Sequence, residues 1–288
     1  MRIGFLGTGL MGAPMAQRLH EAEHAVIAWN RTPEKLAPLK QAGIETVTSV
    51  ADAIAPAQLI VTMLTDAAAI QSCLFPPQPL RLQGRTVLQM GTIAPAESRA
   101  IAKQVSNAGG DYLEAPVLGS IPQVNSADLL LMVGASPKQF EQWQPILQCF
   151  GPKPLLMGPV GAGAAVKLAM NQLIGTLTTA FAMSLALVQQ EGIAVEGFME
   201  IVRQSALYAP TFDKKLARMC DRNFTRPNFP TKHLLKDMRL FAAAATAAGI
   251  DTQTATTVAQ VTEKALSLGL AEADYSAVFA AILPEEKQ

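Results

Sequence analysis

Three glycines near the N-terminus, Gly7, Gly9 and Gly12, stand in the spacing Gly-x-Gly-x-x-Gly. They follow the apolar run Arg2–Leu6, which is typical of a β-strand, and they open a segment with helical spacing. In this context glycines let the backbone turn tightly and approach a pyrophosphate at the N-terminus of the helix. The pattern predicts a dinucleotide site, although a glycine-rich tight turn is the alternative. The residues assigned to the cofactor are Gly7, Thr8, Gly9, Leu10, Met11 and Gly12.

Short β-rich runs alternate with helical segments along the first half of the chain. The predicted strands are Arg2–Leu6, Ala25–Trp29, Gln58–Met63, Thr86–Met90, Tyr112–Glu114, Leu129–Val133 and Pro154–Met157. The predicted helices include Met11–Glu21, Pro33–Ala42, Pro95–Asn107 and Pro137–Phe150. Such alternation predicts βαβ units, and hence the fold class α/β with an N-terminal Rossmann doubly wound parallel sheet.

The sequence pattern changes after Gly161, where strand signals end and Ala-, Leu- and Met-rich helical patterns continue to Leu283. We predict a C-terminal all-α domain, joined to the first domain by a long interdomain helix. The predicted domains are a dinucleotide-binding Rossmann domain over residues 1–160 and a helical substrate and dimerisation domain over residues 161–288.

Composition excludes several classes of protein. Apolar residues make up 50% of the 288 residues and charged residues 16%, which argues against disorder. Lys plus Arg and Asp plus Glu both number 23, so the chain lacks the basic field that nucleic-acid binding needs. Three widely spaced cysteines, Cys73, Cys149 and Cys220, predict buried thiols in a reducing cytoplasm rather than disulfides. No spacing of His with Asp, Glu or Cys suggests a metal site.

Two segments have some features of membrane signals. Met1–Ala16 has an early Arg and small apolar residues, but its glycines interrupt the apolar run that a secretory signal needs. Leu168–Gln190 carries no charge, yet it contains polar residues such as Asn171 and Gln172 that lipid would leave unpaired. We expect no signal segment and no membrane contact, with the second segment forming a buried helix.

The residues after the second predicted strand bear on the choice of cofactor. A site selective for NAD places Asp or Glu there to hold the ribose 2′-hydroxyl. This chain has Asn30, Arg31 and Thr32, with Lys35 one helical turn later, and all four can donate to a 2′-phosphate. We therefore predict NADP(H), the alternative being an ordinary polar loop.

Lys167 and Asn171 are four residues apart in a segment rich in small residues, so they share one face of a helix. Lys167 is the one charged residue between Lys153 and Glu191. A Lys in such surroundings is suited to donating a proton to a forming alkoxide, although a purely structural pair is also possible.

Four segments, occurring in a fixed order over essentially the whole chain, resemble the β-hydroxyacid dehydrogenase family. They are Gly7–Gly12, Glu114–Ser120, Gly161–Asn171 and Lys232–Asp237. The family includes 3-hydroxyisobutyrate, tartronate semialdehyde and 6-phosphogluconate dehydrogenases. Within it, Asn30–Thr32, Glu114–Pro116 and Phe229–Arg239 are most similar to NADPH-dependent glyoxylate/succinic semialdehyde reductases.

The resemblance implies roles for individual residues. It makes Lys167 the catalytic acid/base and Asn171 the residue that orients the substrate. It adds Met63, Leu64, Thr65, Thr92 and Lys236 to the cofactor site. It assigns Leu118, Gly119, Ser120, Phe229 and Asp237 to the substrate, with its carboxylate held at the Gly119–Ser120 turn. The alternatives are a helix cap for Thr92, a core position for Phe229, and for Asp237 a surface charge paired with Arg239 or Lys236.

The chain departs from the family pattern at three places. Leu118 stands where the family usually has Ser, Gly91 stands where Ser is common, and the loop Ile121–Asp128 lacks the usual Lys or Gly. Leu118 makes the carboxylate turn more apolar, so we expect it to disfavour substrates with a hydroxyl next to the carbonyl.

These observations predict an enzyme that uses NADPH to reduce a small carboxylate-bearing aldehyde, such as glyoxylate or succinic semialdehyde. Other possibilities are a 3-hydroxyisobutyrate or tartronate semialdehyde dehydrogenase, an imine reductase, and a non-catalytic dinucleotide-binding protein. We expect a homodimer or homotetramer formed through the helical domain, because long apolar helices would otherwise be exposed.

Overall fold

The computed structural model describes residues 1–78 and 80–285. The chain divides into two compact units, Met1–Lys167 and Leu168–Gln288. This division falls inside a long helix, whereas the predicted domain limits place the start of that helix in the second domain. Each unit is described below by itself.

A twisted sheet forms the centre of the first unit. Its strands are β1 (Arg2–Leu6), β2 (Ala25–Trp29), β3 (Glu45–Thr46), β4 (Leu59–Thr62), β5 (Thr86–Gln89), β6 (Asp111–Glu114), β7 (Val117–Leu118), β8 (Leu130–Gly134) and β9 (Leu155–Gly158). The order is β3-β2-β1-β4-β5-β6-β8-β7, and β9 lies beside β8. Strands β1 to β6 pair in parallel, whereas β8 runs antiparallel to β6 and β7. The Rossmann prediction is thereby confirmed.

Most predicted strands agree with the structure to within one residue, but β3 and β7 were not predicted. Each is two residues long, too short to show an alternating pattern. The helical segment predicted over Pro33–Ala42 is present, but the structure divides it into a 3-10 turn over Pro33–Leu36 and a short α-helix over Ala37–Gln41. Pro38 lacks an N–H to continue one hydrogen-bond ladder through this segment.

The helices of the first unit cover both faces of the sheet. They are α1 (Gly12–Glu21), α2 (Ala37–Gln41), α3 (Val50–Ile54), α4 (Ala67–Leu74), α5 (Pro95–Asn107), α6 (Ile121–Asn125) and α7 (Pro137–Gln148). Neighbouring strand residues enter opposite apolar cores: Phe5 and Val61 belong to one, and Leu6 and Ile60 to the other. A sheet buried on both faces needs fully apolar strands, which is what the sequence provides.

The second unit is helical. Its elements are α8 (Ala162–Gln190, beginning in the first unit), α9 (Val195–Gln204), α10 (Pro210–Cys220), α11 (Thr231–Ala247), α12 (Gln253–Ser267), a 3-10 turn (Tyr275–Ala277) and α13 (Val278–Ile282). Phe181, Met199, Leu234, Val258 and Phe279 are among its core residues. The predicted all-α character of the C-terminal half is therefore confirmed.

The expectation that α8 is wholly buried is wrong for the single chain. Leu173 is 50% exposed, Met183 58% and Leu187 64%, while Phe181 and Leu185 on the other side are buried. Among the described residues, α8 is the one helix that is long and apolar enough to cross a membrane, and 44% of that apolar window is buried. The expectation for the thiols also needs correction, since Cys73 is buried but Cys220 is exposed.

Candidate active site

The parallel sheet brings three predicted cofactor segments to one edge. Gly7–Gly12 follows β1, Met63–Thr65 follows β4, and Met90–Thr92 follows β5. These strands are neighbours, and the chain reverses its direction of travel across the sheet between β1 and β4. A doubly wound sheet binds its ligand at the carboxyl ends of the strands at such a switch point.

The glycine loop has the local geometry that a dinucleotide requires. Gly7 has φ +99°, and a Cβ there would collide with the carbonyl oxygen of Met63. A Cβ at Gly12 would collide with the carbonyl oxygen of Gly7, so the loop can close only on glycine. A Cβ at Gly9 would meet no atom within 4 Å, which leaves space over this glycine for a pyrophosphate. The residues present therefore fit a dinucleotide.

Asn30 connects the glycine loop to the loop after β2. Its side-chain oxygen accepts from the Thr8 N–H at 3.0 Å, and its amide nitrogen donates to the Thr32 carbonyl at 2.9 Å. One amide hydrogen is thus used within the protein rather than on a cofactor. Arg31, Thr32 and Lys35 are exposed. Asn30 is therefore placed to brace the two loops, while the exposed cations remain accessible to a 2′-phosphate.

Gly91 is in a tightly packed position, which explains why this chain has no Ser there. A Cβ on Gly91 would lie 2.6 Å from the Leu64 carbonyl oxygen. The Gln89 side chain also accepts from the Gly91 N–H and donates to its carbonyl. Thr92 is half-buried, and the N-cap position of α5 is Ala94, whose N–H donates to Glu97 Oε2 at 2.7 Å.

The predicted carboxylate turn, Gly119–Ser120, is held by Gln123, which the sequence analysis did not assign to the site. Ser120 donates both its backbone N–H and its hydroxyl to Gln123 Oε1, at 2.9 and 2.8 Å. The spacing Ser-x-x-Gln is the signature of a helix capping box and would have indicated this arrangement. Gly119 before it has φ +140° and is exposed, and Leu118 is half-buried in β7 opposite Leu130.

Asn171 is held by a buried carboxylate in the helical unit. Asn171 and Asp237 are each 2% exposed, and Asn171 Nδ2 donates to Asp237 Oδ2 at 2.6 Å. The other carboxylate oxygen lies 2.9 Å from Lys236 Nζ. Asp237 is therefore a buried carboxylate that pairs with Lys236, while Arg239 pairs with Glu263. Lys167 is half-buried one turn before Asn171 on α8.

Phe229 is half-buried against the apolar core of the helical unit, where it belongs to an aromatic cluster. Its ring is 5.6 Å from that of Tyr275 in an edge-on arrangement, and 6.4 Å from the stacked His233 imidazole. Burial, and secondly the charge of Lys236, lowers the pKa of His233. His233 is therefore a half-buried neighbour of Phe229, and burial favours its neutral form.

Glu114 is fully buried at the end of β6, and its side chain reaches the start of α8. Glu114 Oε1 accepts from the backbone N–H of Gly161 at 2.8 Å and of Ala164 at 2.9 Å. Burial raises the pKa of this carboxyl, while the hydrogen bonds from Ser98, Ala164 and Gly161 act in the opposite direction. The sequence placed Glu114 in a family motif but did not indicate these contacts.

Comparisons with known proteins cover nearly the whole chain. Residues 2–158 match the NAD binding domain of 6-phosphogluconate dehydrogenase. Residues 161–282 match the NAD-binding family of NADP-dependent 3-hydroxyisobutyrate dehydrogenase. The chain is 33% identical to glyoxylate/succinic semialdehyde reductase 2, chloroplastic, of Arabidopsis thaliana, covering 97% of this chain and 79% of that protein. It is 31% identical to glyoxylate/succinic semialdehyde reductase 1 of the same plant, covering 98% of each.

A solved structure agrees with the fold. The Mycobacterium tuberculosis 3-hydroxyisobutyrate dehydrogenase with L-serine superposes with a TM-score of 0.87 at 24% identity, covering 98% of this chain and 99% of that one. The dinucleotide geometry and both family matches identify an oxidoreductase that uses NADP(H). The chain therefore belongs to the 3-hydroxyisobutyrate dehydrogenase family of β-hydroxyacid dehydrogenases.

Proposed function

We propose that the protein uses NADPH to reduce the aldehyde group of a small oxo-acid, glyoxylate or succinic semialdehyde, to the hydroxy acid. The observation that carries the proposal is the placement of Lys167 one turn before Asn171, whose amide is fixed by the buried Asp237. The names of the two Arabidopsis relatives support the choice of substrate class.

Each group in the site has a distinct task in this reaction. Bound NADPH would supply the hydride. The Arg31 guanidinium and the Thr32 hydroxyl would hold the 2′-phosphate, and the N-terminus of α1 would hold the pyrophosphate. Lys167 Nζ would donate a proton to the alkoxide oxygen as charge develops there, and Asn171 would orient the substrate. Thr92 and the Met63–Thr65 segment would contact the cofactor.

The substrate carboxylate is assigned to the Gly119–Ser120 turn. Both Ser120 donors are engaged by Gln123 Oε1, so a carboxylate would have to displace that oxygen to use them. Leu118 adds an apolar wall where the family usually has a hydroxyl. This combination favours substrates without a second hydroxyl over tartronate semialdehyde.

The exposed side of α8 supports a homo-oligomer, a dimer or tetramer. Leu173, Leu177, Met183 and Leu187 are all more than one-third exposed and lie at helical spacing. Apolar stripes of this kind are typical of surfaces that subunits cover. Light scattering of the purified protein should give a mass at least twice that of one 30.6 kDa chain.

The experiment that tests the proposed function is the loss of NADPH absorbance with a panel of substrates. The panel comprises glyoxylate, succinic semialdehyde, tartronate semialdehyde and a cyclic imine, with 3-hydroxyisobutyrate tested in the oxidative direction. We expect the highest kcat/KM with glyoxylate or succinic semialdehyde. Turnover of the imine alone would overturn the proposal, and so would NADPH binding without turnover of any substrate.

A further inference from the structure

We infer that Glu114 is a positioning residue, whose carboxyl group fixes the first turn of α8 and thereby sets where Lys167 is presented to the substrate. This inference rests on the proposed function, in which Lys167 donates the proton. Glu114 itself touches neither substrate nor cofactor in this account.

The first turn of a helix has backbone N–H groups without partners in the helix, and a nearby side chain usually accepts from them. The residue before α8 is Gly161, which has no side chain to do so. Glu114 Oε1 takes this role from a different element, accepting from Gly161 at 2.8 Å and from Ala164 at 2.9 Å. The start of α8 is therefore tied to the end of β6.

The Glu114 carboxyl group is itself held on its other side. The Ser98 hydroxyl donates to Oε2, and the Tyr112 hydroxyl lies 2.7 Å from the Ser98 oxygen. Glu114 and Ser98 are 0% exposed, and Tyr112 is 4% exposed. A Cβ on Gly134 would collide with Glu114 Oε1, so a glycine on β8 leaves room for the carboxyl group. The acceptor therefore occupies a fixed position.

A displacement at the first turn of α8 would be passed on to Lys167. Lys167 lies three residues after Ala164, which at the rise of an α-helix is about 4.5 Å along the axis. The helix start also rests directly on β8, because a Cβ on Gly163 would collide with the Met132 carbonyl. A misplacement of about 1 Å in a reacting group can slow a reaction by about 10²-fold.

Single-turnover kinetics on the NADPH-loaded enzyme can separate positioning from mere stabilisation. The rate constant of absorbance loss reports the reaction in the folded enzyme, whereas the amplitude reports how much enzyme is folded. Glu114→Ala should lower the rate constant by about 10²-fold while NADPH affinity stays within about threefold. Glu114→Gln should stay within about threefold of the unchanged protein, because its amide retains an oxygen for the two N–H groups and an N–H for Ser98.

The matched control is Ser136→Ala, which removes the cap of α7, a helix without predicted site residues. It should lower stability with an unchanged rate constant. If Glu114→Ala changes only the amplitude, as this control does, the inference is overturned. If Glu114→Ala fails to fold, Ser98→Ala takes its place and should still lower the rate constant severalfold, and an unchanged rate constant would overturn the inference. Lys167→Ala, measured alongside, separates the positioning role of Glu114 from the proposed function. Full turnover in Lys167→Ala would refute the proposed function itself.

Discussion

The glycine loop of the first unit and the Asn171 amide of the second are positioned by different means. In the first unit, the assigned cofactor edge lies at the ends of β1, β4 and β5, and its glycine loop closes only because Gly7 and Gly12 have no side chain. In the second unit, a buried side-chain pair does this work, since Asp237 on α11 holds the amide of Asn171 on α8. The glycine loop cannot accept a side chain at Gly7 or Gly12, because each Cβ would collide with a backbone carbonyl oxygen. A side-chain site depends on each partner of each pair.

This difference predicts where single substitutions will be most damaging to stability. Lys215 is 7% exposed and its ammonium lies 2.8 Å from Asp274, which is 0% exposed. Lys215→Ala leaves a buried carboxylate without its cation, so we expect a loss of about 3–5 kcal/mol in the free energy of unfolding. Denaturant unfolding measures the change. The adjacent exposed Lys214→Ala is the control and should change it by less than about 0.5 kcal/mol. Equal changes in the two variants would show that the buried ion pair does not stabilise the folded chain more than an exposed Lys does.

The next largest effect should come from Asp237. Asp237→Ala removes the acceptor that holds the Asn171 amide, and a hydrogen bond to a charged group contributes about 1.5–3 kcal/mol. If this hydrogen bond stabilises the transition state by that amount, its loss lowers kcat roughly 10- to 100-fold. Asp251→Ala changes an exposed Asp of the same unit outside the site and should leave kcat unchanged. A normal kcat in Asp237→Ala would mean that Asn171 needs no such anchor.

The same contrast explains which features of each unit could be predicted from the sequence. The glycine spacing and strand alternation are local patterns, so they predicted the Rossmann sheet and its Gly7–Gly12 loop, whereas Met63–Thr65 and Thr92 were assigned by the family resemblance. The pairing of Asn171 with Asp237 joins residues 66 positions apart, and no local pattern reports it. The contact of Glu114 with Gly161 and Ala164 was missed for the same reason. The two-residue strands β3 and β7 were too short to give any signal.

The preference for NADPH over NADH tests the assigned cofactor site of the first unit without changing its glycines. Arg31→Asp places a carboxylate where we assign the 2′-phosphate, so NADPH affinity should fall by about tenfold or more relative to NADH. Arg81→Asp makes the same change of charge at another exposed position of the first unit and should preserve the preference. Titration of each variant with both cofactors gives the ratio. Equal affinities for NADPH and NADH in the unchanged protein would contradict the assignment.

The smallest effect is expected at the carboxylate turn. Leu118→Ser restores the hydroxyl that the family usually has, and one recovered hydrogen bond contributes about 0.5–1.5 kcal/mol. The ratio of kcat/KM for tartronate semialdehyde over succinic semialdehyde should rise roughly 2- to 10-fold. Leu130→Ser alters the partner of Leu118 across β7 and β8 and serves as the control. An unchanged ratio would place Leu118 outside the substrate site.

The central claim is that binding of the cofactor and donation of the proton belong to different groups. It is tested most directly by measuring NADPH affinity and turnover together in Lys167→Ala, with the exposed Lys138→Ala as control. We predict that kcat with glyoxylate and succinic semialdehyde falls by about 10²–10⁴-fold while NADPH affinity is nearly unchanged. Near-normal turnover in Lys167→Ala would contradict the account.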